Sequence, residues 1–207
     1  MIINMGENIY KKRPDVHICK TCWDVYPQLL KKIKINRKEK ILDAGCGEGR
    51  LAVFLRIPQL FGFDLSIKAV KEAEKKGYKK VIIGEMKSFP FEDKEFDKSI
   101  STQVFQYLEN PDKAFSEMVR VSKSQVIITV PNLKWFYIKS KFSRGFKKDY
   151  ERILKEINFT GKKFLIDLSK GGMESLEISY ISNKFGILRN IFGNFLASEV
   201  VGVYNLK

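Results

Sequence analysis

The stretch Lys40-Ile41-Leu42-Asp43-Ala44-Gly45-Cys46-Gly47-Glu48-Gly49-Arg50 limits the possible folds more than any other part of the chain. A short apolar pair breaks directly into alternating glycines, which reads as a buried strand running into a bend. Gly45, Gly47 and Gly49 accept positive φ and let the backbone come close to a ligand. Leu51, Ala52, Phe54 and Leu55 suit a helix, so the bend feeds a helix N-terminus, where unpaired N–H groups favour a ligand's acceptor oxygens. Strand, bend and helix together make a nucleotide-type site at the edge of a parallel sheet.

Glycine spacing narrows the ligand. In a G-x-G-x-x-G fingerprint counted from Gly45, the third glycine would fall on Arg50, which argues against a nicotinamide dinucleotide and so against a dehydrogenase. The G-x-x-x-x-G-K-[ST] phosphate loop does not occur in the sequence. An acid followed by G-x-G-x-G resembles the first motif of the class I S-adenosylmethionine-dependent methyltransferases. The resemblance implies that Asp43, Gly45, Cys46 and Gly47 lie against the methionine part of that cofactor. Taken alone, the bend is also compatible with a tight turn in any α/β protein.

The acids further along give the bend its context. Residues 59–66 read as a second strand ending in Asp64, which follows Gly45 by 19 positions. An acid about 20 residues after the bend is placed to accept hydrogen bonds from ribose hydroxyls. Ser66 can cap a helix carrying Ile67, Val70 and Ala73, which Gly77 ends. Residues 80–86 read as a third strand with Glu85 and Met86 at its end; the resemblance implies that they meet the adenine amino group and ring. It likewise implies Leu65 and Thr102 as neighbours of the cofactor. The run from Phe89-Pro90-Phe91 to Phe96-Asp97 is similar to a signature of the type 11 methyltransferase group.

The expected architecture is α/β: a doubly wound, Rossmann-like sheet of seven strands, mostly parallel, with the last strand antiparallel and helices on both faces. Residues 125–130 are a near-continuous apolar run, read as the buried fifth strand, closed by Pro131-Asn132. Leu176, Ile178 and Tyr180 alternate as a strand, Phe185, Leu188, Phe192 and Phe195 follow helical spacing, and residues 200–204 form a last strand. Ahead of the sheet, Trp23, Tyr26, Leu30 and Ile33 mark an amphipathic helix. The 207 residues are expected to form one methyltransferase domain. Its parts are a leading helical segment (1–36), a cofactor-binding half (37–131), a basic, lid-like segment (132–163) and C-terminal strands with a helix (164–207).

Catalytic residues are harder to name. Methyl transfer needs a general base only where the acceptor is a hydroxyl or a protonated amine. His17, the single histidine, and Tyr107, which stands where relatives often carry histidine, are the two candidates. His17, Cys19 and Cys22 offer three zinc-type ligands, but no second ligand pair follows, so no metal is expected.

Net charge is +14, which suits an anionic partner, although Lys far outnumbers Arg and a lysine-rich proteome would give the same balance. In residues 133–163, Trp135, Phe136, Tyr137, Phe142 and Phe146 interleave with lysines and Arg144. That pattern fits either a cover for a phosphate-bearing or polyanionic substrate or a solvated charged face. After the fourth strand stands Ser101-Thr102-Gln103-Val104, not the Asp/Asn-Pro-Pro-aromatic run of enzymes acting on base amino groups. The landmarks resemble those of family members that methylate small metabolites, which implies a small-molecule acceptor, anionic or lipid-soluble, with RNA second and a non-catalytic interaction module as the alternative outside enzymology. No apolar run is long enough to span a membrane, and the first residues lack a signal-peptide core, so a cytoplasmic protein without stable membrane insertion is expected.

Overall fold

The computed structural model describes residues 26, 29, 30, 33–132, 137, 138, 141, 142, 147, 151, 161–168, 173–181 and 199–207. Within these, the chain runs β1 (Ile41–Ala44), α1 (Arg50–Leu55), β2 (Leu60–Asp64), α2 (Ile67–Ala73) with a 3-10 turn at Glu74–Lys76, and β3 (Lys80–Ile83). It continues through β4 (Phe96–Thr102), a 3-10 turn at Phe105–Tyr107, α3 (Pro111–Val121), β5 (Ser122–Pro131), α4 (Gly161–Leu168), β6 (Ser175–Ile181) and β7 (Glu199–Asn205).

The seven strands form one sheet in the order β3-β2-β1-β4-β5-β7-β6. The first five pair in parallel, and β7 lies antiparallel between β5 and β6. Successive residues face opposite sides of a strand, so the sheet builds two cores. Ile41, Ile100, Ile127 and Val201 face Tyr26 and Leu29 of the leading segment and Leu51 of α1. Leu42, Ala44, Val126, Ile128 and Val200 face Ala114, Phe115 and Met118 of α3 and Leu165 of α4. Burial on both faces is why β5 is apolar from Val126 to Pro131 at every position but Thr129.

Caps set where the helices begin. The Ser66 hydroxyl accepts from the Ala69 N–H and starts α2; the Asn110 side chain accepts from the Lys113 N–H and starts α3, with Pro111 in its first turn. Strand order reverses between β1 and β4, and in open α/β sheets the crevice outside the carboxyl ends at such a switch is where ligands bind.

Several boundaries differ from expectation. The third strand stops at Ile83, and just beyond it the Ser88 N–H donates to the Glu85 carbonyl and closes a turn. The fifth strand begins earlier, at Ser122. In the leading segment Tyr26, Leu29 and Leu30 are helical, and the anchor is fully buried Leu29, with Leu30 half-buried. Helix α4 straddles the expected boundary at 163; its Leu165 is fully buried and its carbonyl accepts from the Tyr204 hydroxyl at 2.8 Å. The expected helix around 185–195, and Trp23, lie outside the described residues. Among the described residues, no helix is long and apolar enough to cross a membrane.

Candidate cofactor site

The glycine bend is shaped by contacts on both sides. Gly45, Gly47 and Gly49 have φ of 81°, 52° and 82°, in the region that favours glycine. A Cβ on Gly45 would stand 2.4 Å from a methyl of Val104, so the bend lies directly against the loop after β4. The N–H groups of Gly45 and Cys46 both donate to the Phe63 carbonyl, at 2.7 and 3.0 Å, which ties the bend to β2.

Asp64 secures the other side. Its Oδ2 accepts from the Gly47 N–H at 2.8 Å and its Oδ1 from the Ser66 N–H at 2.9 Å. Burial pushes its pKa up, while the N–H groups of Ser66, Gly47 and Leu65 act in the opposite direction. A carboxylate has about four lone-pair positions, so two bonds leave capacity for the ribose hydroxyls of a nucleoside.

Asp43 is the more unusual acid. It is 1% exposed, and its Oδ2 accepts from the Tyr78 hydroxyl at 2.5 Å. Its Oδ1 is buried with no hydrogen-bond partner among the described residues. Burial pushes the Asp43 carboxyl up to about 7; the Tyr78 bond opposes this and the nearby Asp64 charge adds to it. An unsatisfied carboxylate oxygen in the interior costs about 1–3 kcal/mol, and a cationic donor would remove that cost. The methionyl ammonium of S-adenosylmethionine is such a donor, so the acids at the bend fit the cofactor. Burial and the two acids also raise the Cys46 thiol far above its ordinary range, which leaves it neutral and makes it a packing residue rather than a nucleophile.

The remaining sequence-predicted residues lie along the same carboxyl edge. Leu65 is half-buried directly after Asp64, Glu85 is half-buried and ion-paired with Lys87 at 2.5 Å, and Met86 is buried in the same core as Phe63. Thr102 ends β4, where its hydroxyl shares a 3.1 Å hydrogen bond with the Tyr26 hydroxyl. Tyr26 itself stacks on Phe54 of α1, with centroids 5.2 Å apart and planes at 11°, and so joins the leading segment to the bend's helix.

Gln103 follows in a left-handed conformation, φ 59°, with its N–H directed at both the carbonyl and the hydroxyl of Thr129. Tyr107 is half-buried at the end of the 3-10 turn in this loop. His17, Cys19 and Cys22 lie outside the described residues, and among the described residues no three His, Cys, Asp or Glu side chains cluster as a metal site would require.

Sequence reasoning missed Tyr26 and Tyr78 as hydrogen-bond partners at this edge. Tyr26 carries only a helical period and Tyr78 no motif, and only the fold brings them to Thr102 and Asp43.

Comparison with known proteins agrees with this geometry. Residues 42–130 match the family described as a methyltransferase domain. The protein MJ1123 of Methanocaldococcus jannaschii is 35% identical over 135 residues, covering 64% of this chain and 63% of its own length. A malonyl-[acyl-carrier protein] O-methyltransferase of Hamiltonella defensa is 27% identical over 118 residues, 56% of this chain and 46% of its own length. This chain thus spans between about half and two-thirds of these relatives.

Among solved structures, an S-adenosylmethionine-dependent methyltransferase of Thermotoga maritima, described as a possible histamine N-methyltransferase, superposes with a TM-score of 0.70. It covers 100% of this chain and 99% of that one at 21% identity, which speaks for the fold alone. Bend, acids and sheet order agree with that match: residues 42–130, which match the methyltransferase-domain family, sit on a seven-stranded sheet of the Rossmann-like methyltransferase fold.

Proposed function

We propose that residues 1–207 act as one domain that transfers a methyl group from S-adenosylmethionine to a small-molecule acceptor. The observation that carries the reading is the pair of buried acids at the glycine bend, one with an Oδ1 unpartnered among the described residues and the other holding the bend with lone pairs to spare. When bound, the cofactor supplies an electrophilic methyl group on a sulfonium, already an activated leaving group.

The chain's own part is alignment, which can supply most of the acceleration of an in-line displacement. On this reading Asp43, Gly45, Cys46 and Gly47 receive the methionine part. Asp64 and Leu65 receive the ribose, Glu85 and Met86 the adenine, and Thr102 closes the edge beside them. Where the acceptor brings a hydroxyl or an ammonium, Tyr107 or His17 takes up the proton. If Tyr107→Phe and His17→Ala both leave turnover unchanged, alignment is the whole account.

Support for a small acceptor comes from Ser101-Thr102-Gln103-Val104 in place of a base-gripping motif. RNA is the second reading, favoured by the net charge of +14. Incubating the chain with methyl-labelled S-adenosylmethionine and separated small-molecule, RNA and protein extracts decides between them. Label in the small-molecule fraction is expected; label confined to RNA would reverse the order.

A further inference from the structure

The loop after β4 holds two amides that the cofactor contacts above do not use. Gln106 is fully buried, and its Nε2 donates to the Gln103 Oε1 at 3.2 Å. That bond leaves Gln103 Nε2 and Gln106 Oε1 buried with no partner among the described residues. Interchanging oxygen and nitrogen in both amides leaves the same remainder of one N–H donor and one carbonyl acceptor; interchanging them in only one sets like groups face to face. Gln103 is also held at φ 59°, a conformation that costs a non-glycine residue energy and recurs at functional sites. Val104, between the two glutamines, fills the space a Cβ on Gly45 would need. The loop that carries the two amides therefore adjoins the cofactor bend.

We propose that Gln103 and Gln106 form the recognition element for the acceptor, and that they select a neutral group offering one hydrogen-bond acceptor beside one donor, a carboxamide or a hydroxyl. The proposal rests on the cofactor reading above, which places the reacting end of the acceptor at this edge. A neutral group with both functions satisfies the spare N–H and the spare carbonyl together. A carboxylate or phosphate satisfies the N–H but sets its lone pairs against the carbonyl, and a buried polar group left unpaired is the strongest means by which a site rejects an analogue. The two free atoms are shielded from solvent, so the loop has to shift to admit the acceptor. Gln103 and Gln106 are positioning residues here; neither is asked to move a proton.

The test uses the full chain loaded with S-adenosylhomocysteine, with loading verified by calorimetry, and follows the side-chain amide resonances of Gln103 and Gln106 during titration with benzamide, phenol or benzoate. Benzamide and phenol are expected to shift both resonances saturably, and benzoate to bind on the order of tenfold more weakly. Gln103→Asn withdraws the amide by one methylene, and asparagine suits a left-handed backbone, so this variant is expected to keep its fold and its S-adenosylhomocysteine affinity while losing the preference for benzamide over benzoate. Benzoate binding as tightly as benzamide, no shift with any probe, or an unchanged preference in Gln103→Asn would overturn the proposal while leaving the cofactor reading intact. Failure of the parent chain to bind S-adenosylhomocysteine would instead overturn the cofactor reading and this proposal with it.

Discussion

Replacing Asp43 by asparagine should make the cofactor-free chain more stable at high pH and spoil its binding site. In the folded chain the Asp43 carboxyl sits at about 7, above its ordinary value of 3.8, chiefly because of burial. A carboxyl raised on folding holds its proton more tightly in the folded than in the unfolded state. Between these two values the folded chain carries the proton and the unfolded chain does not, so stability falls as pH rises through the window and levels off above it. At full ionisation the gap is worth at most about 4 kcal/mol.

Asparagine carries no such charge and can still accept from the Tyr78 hydroxyl. Its amide N–H groups then occupy the place of the unpartnered Oδ1, at a cost of about 1–3 kcal/mol. The expected net is a gain of about 1–3 kcal/mol above the window, which vanishes or reverses near its acid end. Urea denaturation of parent and variant across the window, without cofactor, measures the difference. Asp97, Glu95 and Glu117, whose pKa values are lowered, are common to both chains and cancel. A difference that stays flat with pH, or grows toward the acid side, would refute the reasoning. Cofactor affinity should fall in the same variant, because a neutral amide no longer attracts an ammonium.

Three further substitutions probe the same edge. Gly45→Ala meets both a positive φ and Val104 at 2.4 Å, so a loss of about 1–3 kcal/mol is expected, and thermal denaturation matching the parent would contradict it. Asp64→Asn leaves one oxygen to serve the Gly47 and Ser66 N–H groups; calorimetry should show S-adenosylhomocysteine affinity reduced by about 1–3 kcal/mol, and equal affinity would remove Asp64 from the site. Tyr26→Phe keeps the stacking on Phe54 but deletes the bond to Thr102, with an expected loss of about 0.5–1.5 kcal/mol in urea denaturation; no change would mean that the leading segment is held by packing alone.

The sheet was legible because its strands announce themselves locally. The apolar pair before the bend, the run at 125–130 and the alternation at 176–180 each carry their own period, and the acid at 64 stands at the expected distance from the bend. What joins these pieces is not local. Tyr78 reaches Asp43 across 35 positions and Tyr26 reaches Thr102 across 76, and nothing near either tyrosine marks it as a hydrogen-bond donor. Helix α4 was hidden for a different reason. The lysine-rich run up to Lys163 set a boundary in the middle of the helix, and nothing beside Phe164 and Leu165 shows that the fold brings this turn against Tyr204. Gln103 and Gln106 are polar residues at buried positions, the kind of local conflict that sequence reasoning flags only once burial is known.

The place of β7 has a consequence for synthesis on the ribosome. Among the described strands β7 comes last in the chain yet stands inside the sheet, and β6 pairs with it alone. While residues 199–205 are still in the exit tunnel, β6 has no place in the sheet and the outer side of β5 is an open edge made of Val126, Ile127, Ile128 and Val130. Such an edge pairs readily with foreign strands. The nascent protein therefore stays exposed to misassociation until residues 199–205 emerge, and a slow stretch of codons just before residue 199 would lengthen that exposure.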